Sequence, residues 1–369
     1  MNSFEPKPRD KFSPSSHLEL DLSQLDKLTS KTLAELDGFA AKDSLKCDIY
    51  SDPSSVFTLG GGKLAVAGRE GVAVFQKHDD NWKLLILIRG CDSSYSAGKF
   101  AEDKLFTASR DGKIQILRFG EYIKYTGLYN GKSKSIVKSL GDEHLVVANK
   151  HEIAFLDGTG DQLLVTNVLG APGHIRHLDV LQNKDVVFST TDGLMGVAVL
   201  NKSNHYDTSI YHTGESGLDA VKPISNDRLL LFSFSERVAY AERTRNGHWE
   251  VKSLEGVNCE PVVFDSNGTG LSAIAGFKGK LAIISEQAEG LKVDNLLVAD
   301  ELRFIKVINS DLVVCGGIRG ELYSIRKVND NWVLRASAQF DKPIVNVFKL
   351  DEHSFVAIAE NAELHICTV

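Results

Sequence analysis

Apolar runs and alternating stretches follow one another along this chain at a fixed beat. Leu312 to Ile325, LVVCGGIRGELYSI, shows the unit: LVVCG is a short apolar run rich in β-branched residues, and ELYSI alternates polar with apolar. The first reads as a fully buried strand and the second as a half-buried one. Gly320 ends the turn between them, where a tight hairpin needs a positive φ that a residue with a Cβ adopts only at a cost. The same run, turn and alternating strand recur with turn ends at Gly71, Gly112, Glu152, Gly193, Glu236, Gly279 and Glu363, so the turn ends are spaced 41, 40, 41, 43, 43, 41 and 43 residues apart.

Each unit adds an inner strand ahead of the run, as in RFIKVI before Leu312 and IVNVFKL before Phe355, and a fourth strand after it. In three units that fourth strand opens on a tryptophan, Trp82, Trp249 or Trp332, and each is expected to pack as an aromatic at a hairpin end. Four strands in a repeat of roughly 40 to 45 residues is the signature of a β-propeller. The last unit stops at Val369 after its third strand, and SLKCDIYS, Ser44 to Ser51, stands unpaired before the first unit. Pairing the two would complete the last blade and remove exposed sheet edges. The pattern therefore predicts an all-β chain with a single closed β-propeller of eight four-stranded blades, or seven if the unit around Glu236 or Glu152 is irregular.

Period, strand pattern and closing strand together resemble the WD40 propeller family over Ser44 to Val369. The family's Gly-His and Trp-Asp dipeptides are absent from the expected positions, the nearest echoes being Asp111-Gly112 and Asp192-Gly193. The resemblance names no subfamily. It implies a rigid, non-enzymatic disc that presents loops to other proteins as a scaffold or adaptor subunit of a larger complex.

Outside the propeller (43–369) the pattern changes. Residues 1–22, with Pro6, Pro8 and Pro14 among charges, read as a disordered tail. Residues 23–42 carry Leu25, Leu28, Leu33, Leu36 and Phe39 at helical steps, with Ser23 and Asp26 placed to cap a start. A lone helix of this length is marginal in water, so its apolar stripe needs a surface, either the chain's own propeller or a partner's groove.

Composition narrows the classes. With 43% apolar and 25% charged residues a sizeable core is available, and a net charge of −7 disfavours general nucleic-acid binding. The N-terminus lacks the apolar run of a signal peptide, and no stretch is long enough to span a membrane. Cys47, Cys91, Cys259, Cys315 and Cys367 are far apart with no Cys-x-x-Cys pair, as expected for free thiols in the cytosol or nucleus. The sequons at Asn201 and Asn267 are then expected to be unused.

Turns between second and third strands are expected to line one face of the disc. Their tips carry Arg69, Arg110, Lys150, Lys278 and Arg319, with acidic Glu70, Asp111 and Asp192 among them. The loops between blades are expected on the same face, where Lys132, Lys134 and Arg176 would extend this basic arc. An acidic segment of a protein partner is the ligand it suits; RNA is a minor alternative that would show steep salt dependence.

Motifs for catalysis are sparse. His174 and His177 are three apart at the start of an inner strand and point to opposite faces, so no metal is predicted there, and no cofactor is predicted. Gly214, Glu215, Ser216 and Gly217 fall one residue short of a nucleophile elbow. The competing reading is a propeller hydrolase or lyase whose site is assembled across blades at the channel mouth. It predicts a deep polar pocket with convergent His and carboxylate groups.

Overall fold

The structure is a computed structural model that describes residues 40–368 apart from 47–52, 69–70, 79–80, 90–93, 110–111, 120–122, 131–134, 160–162, 204, 234–236, 299–300 and 361–362. Within these residues the chain forms 32 strands, numbered here in chain order, and a single 3-10 turn. They make eight four-stranded antiparallel sheets. Seven of these take four consecutive strands. The unit around Glu236 is regular, with β18 (Leu218–Pro223), β19 (Arg228–Ser233), β20 (Val238–Arg243) and β21 (Trp249–Ser253) in order, so there are eight blades and not seven.

The first strand of each blade abuts the first strands of both neighbours. These inner strands are β2 (Pro53–Leu59), β6 (Ser94–Lys99), β10 (Ile136–Gly141), β14 (Ile175–Val180), β18, β22 (Pro261–Ser266), β26 (Leu302–Asn309) and β30 (Ile344–Lys349), and β30 meets β2 to close the ring.

The eighth blade holds β30, β31 (Ser354–Ala359), β32 (Glu363–Thr368) and, outermost, β1 (Ala40–Lys46). N- and C-terminal strands therefore share a sheet, as expected, but the closing strand starts earlier than Ser44, at Ala40, and overlaps the expected stretch at residues 44–46. Its register runs from Ala40 opposite Thr368 to Lys46 opposite Glu363, with an irregularity between Ala41 and Asp43. Residues 40–42, assigned above to the end of a helix, belong to this strand. An outermost strand is held through backbone pairing on one edge, so AAKDSLK carries little of the apolar alternation by which strands are recognised. The remaining helical positions, Leu25, Leu28, Leu33 and Leu36, lie outside the described residues, as does the tail.

Burial follows from where each strand stands in its blade. Second strands such as β23 (Leu271–Gly276) and β27 (Leu312–Gly317) are buried at every position, because strands flank both edges and neighbouring blades cover both faces. A fourth strand on the rim, β13 (Leu164–Gly170), is mostly exposed. The core is thus divided into eight apolar clusters, one between each pair of neighbouring blades, including one between the eighth and the first. The tryptophans serve here: Trp249 packs with Leu181 and Met195 of the preceding blade, and Trp332 with Leu281 and Val298. Trp82 packs against the cluster that joins the first blade to Val356 and Ile366 of the eighth.

Candidate interaction surfaces

The turns between second and third strands do share a face with the loops that join blades. Gly193 adopts φ 80°, and a Cβ there would sit 1.9 Å from the carbonyl oxygen of Glu215, in the loop between the fourth and fifth blades. Thr213 Oγ1 in that loop donates to Gly193 O at 2.7 Å. In the seventh blade Phe340 N donates to Gly320 O, and in the third Ile175 N donates to Lys150 O. In the sixth Val298 N donates to Gly279 O, so the tips of the third, fourth, sixth and seventh blades are each clamped to the loop beside them.

Lys150, Lys278 and Arg319 are exposed at tips of the third, sixth and seventh blades. Lys278 stands in the 3-10 turn Phe277–Gly279 at φ 58°, so its side chain leaves the turn from a left-handed residue. Around Arg319 the backbone is fixed on both sides: its N donates to Glu321 Oε2 at 2.9 Å and its O accepts from Gln339 Nε2 at 2.7 Å. Arg176 lies in β14 rather than in a loop, with Nε 2.9 Å from Asp219 Oδ1 of the next inner strand, so a neighbouring carboxylate offsets its charge. Arg69, Arg110, Lys132 and Lys134 lie outside the described residues, as do Glu70 and Asp111. His174 is exposed and His177 half-buried, and among the described residues no group of three His, Cys, Asp or Glu side chains is placed to hold a metal.

The opposite face holds a feature that the sequence reading missed. Lys138, Asp179, Lys222, Asp265 and Lys306 stand on five successive inner strands, 41, 43, 43 and 41 residues apart, and form an alternating ladder of charge from the third blade to the seventh. Asp179 is bracketed by Lys138 Nζ at 3.2 Å and Lys222 Nζ at 3.0 Å. Asp265 receives Lys306 Nζ at 3.0 Å and the backbone N of Val307 at 2.9 Å. The signal was present in the repeat itself, since the charges recur at the same intervals as the turn ends. Reading each inner strand alone, as a run of apolar positions, hides it.

Between the first-to-second strand turns of the third to sixth blades this ladder lines a cleft of about 430 Å³. Lys138, Asp179 and Lys222 form part of its wall, with Lys184, Ser266 and Asn267. Burial alone would raise the Asp179 carboxyl, but the ammonium groups of Lys222 and Lys138 more than offset it and hold the group well below the ordinary carboxylate value. Lys222 rises above its ordinary value because attraction to Asp179 outweighs burial. Lys138 falls, chiefly through burial, with Lys222 and Lys306 adding like-charge repulsion. The single carboxylate thus compensates Lys222 better than Lys138. His177, beside them on β14, is pushed down to about 3 by burial and by Lys222, and its Nδ1 has no hydrogen-bond partner.

No protein-family model matches the chain, and no curated protein matches it in sequence. Solved structures do share its fold. Sqt1 of Saccharomyces cerevisiae superposes with a TM-score of 0.69 at 10% identity, covering 89% of this chain and 100% of that one. Chaetomium thermophilum Sqt1, in a crystal structure bound to the N-terminus of the ribosomal protein L10, gives 0.66 at 10% identity over 90% and 99% of the two chains. The WD40 β-propeller domain of Doa1 gives 0.52 at 13% identity over 90% and 97%. The architecture that these structures share with this chain is the β-propeller.

Proposed function

We propose that the chain is a non-enzymatic scaffold or adaptor that binds other proteins through the tip face of its propeller. The observation that carries this reading is the set of exposed basic tips, Lys150, Lys278 and Arg319, on hairpins clamped to neighbouring loops. A rigid surface loses little conformational entropy on binding, and localised positive charge speeds and orients the approach of an acidic segment. Sqt1, which shares the fold, has been crystallised with a segment of another protein, which supports protein partners as the ligand class. Cytosol or nucleus is the compartment we assign, in keeping with the buried free thiols Cys259, Cys315 and Cys367.

The competing reading, an enzyme at the channel mouth, meets the cleft directly. A general base or acid works best with a pKa near the working pH. Asp179 is held far below that range by two lysines, and His177 titrates at about 3. This carboxylate and this imidazole are fixed in one protonation state at neutral pH, which favours a structural or binding role.

The test is affinity purification from native extract of the full chain beside the variant K150E/K278E/R319E. A protein recovered stoichiometrically with the full chain and lost from the variant, more sharply at low salt, is the expected result. Equal recovery at low salt would remove the tip face from the reading. A full chain that came back alone would overturn the adaptor role.

A further inference from the structure

We infer that the cleft on the opposite face binds a carboxylate between Lys138 and Lys222. Two ammonium groups converge there on one Asp179 carboxylate, at 3.2 and 3.0 Å. Each ammonium has three N–H donors and Asp179 takes one from each, so donors remain after the pair is made. The local charge is one positive in excess: next along the ladder Asp265 is matched by Lys306, and across the cleft Lys184 is matched by Asp142. A single carboxylate neutralises that excess, whereas a phosphate dianion would overshoot it.

Access and size agree with this ligand. The Lys138 side chain retains 35% of its exposure and that of Lys222 20%, so both meet solvent through the cleft. A volume of about 430 Å³ lies in the range of small-molecule sites. The wall also carries Ser266, whose hydroxyl is already engaged by Pro223 O, Gly268 N and Ser272 Oγ, and Asn267. Asn267 Oδ1 accepts from the backbone N of Thr269 and of Leu271, which fixes the amide, and its Nδ2 has no acceptor. The lowered Lys138 ammonium is the group that gains most from an arriving anion.

The carboxylate has two sources, a free organic acid or an acidic side chain of a protein segment entering the cleft. This inference does not depend on the tip-face reading, because the two faces are opposite. The experiment titrates the full chain calorimetrically with the monocarboxylate butyrate and, separately, with acetyl-Gly-Glu-Gly-amide, at pH 7 and an ionic strength held constant with chloride. Saturable binding of butyrate in the millimolar range or tighter is expected and assigns a small-molecule site; saturation by the blocked peptide alone assigns the protein source. Lys138→Gln leaves the Asp179–Lys222 pair intact and is expected to weaken binding by about tenfold or more with its thermal midpoint retained. Asp179→Asn removes the competing carboxylate and is expected to tighten binding. Absence of saturation by both probes, or a Lys138→Gln variant that binds as the wild type does, would overturn the inference.

Discussion

At the scale of single residues, the groups that matter are the charged ones in the inner strands. Asp179 has two cationic neighbours and a side chain only 17% exposed. Asp179→Asn takes from Lys138 its carboxylate partner and leaves Lys222 only the attraction of Asp265, and we expect a loss of roughly 3 kcal/mol at pH 7 in denaturant unfolding, at the lower end for a buried pair because Lys138 keeps partial access to water. The pH dependence has a definite sign. His177 titrates at 6.5 unfolded and about 3 folded, so between those values the unfolded chain binds more protons and stability falls as pH falls. Asp179, depressed from 3.8, contributes stability that is complete above 3.8 and is lost only as pH drops toward its folded value. Acid destabilisation between pH 6.5 and 4 should therefore belong in large part to His177, with His365, whose imidazole burial also lowers, adding in the same direction. Thermal midpoints measured across that window should be flatter for His177→Gln than for the wild type, and an unchanged slope would contradict the assignment. The ladder's charges recur at the repeat interval and were there to be read in the sequence; what surrounds His177 was not. His174 and His177 drew notice as a pair, and the partners that set the chemistry of His177 lie a blade away in either direction.

Among elements, the hairpins were the most legible part. A buried run and an alternating run joined by Gly320 specify β27 and β28 (Glu321–Val328) almost to the residue, because burial and turn geometry act on neighbours in sequence. The tip residues Lys150, Lys278 and Arg319 could be placed at turns for the same reason. What the pattern withheld was which loop each turn meets. Gly193 shows why that contact matters: at φ 80°, with a Cβ position 1.9 Å from Glu215 O, it has neither the backbone freedom nor the space for a side chain. Gly193→Ala should cost more than about 1 kcal/mol and raise hydrogen exchange in both the hairpin and the loop between the fourth and fifth blades. Protection lost from the hairpin alone would show that the two are not coupled. The closing strand was legible only in outline. Its partner followed from the missing fourth strand, but its register did not, because an edge strand held through backbone bonds leaves no strong side-chain period to read.

For the whole molecule, the question is how a ring of eight similar sheets behaves as one unit. Each interface between blades has its own apolar cluster, and the one joining the eighth blade to the first includes Val356, Ile358, Leu364, Ile366, Val66, Ala73 and Phe75. Strand β1 adds a second closure. It is paired with β32 and is continuous in sequence with β2, so separating the first blade from the eighth must break strand pairing as well as apolar contact. Removing it also bares the edge of β32, and an unpaired edge is a template for association with other chains. Deletion of residues 1–39 and deletion of residues 1–46 differ by this strand alone. The longer deletion should melt several degrees lower than the shorter and aggregate on heating, as read by calorimetry and light scattering. Equal midpoints would mean that the apolar cluster closes the ring unaided. The shorter deletion, compared with the full chain, separates the two readings of Leu25, Leu28, Leu33 and Leu36: a lowered midpoint places that stripe on the propeller, and an unchanged midpoint with a lost partner gives it to recruitment. The boundary decides whether the comparison can be made, since cutting at residue 42 would take Ala40, Ala41 and Lys42 from β1 and merge the two effects.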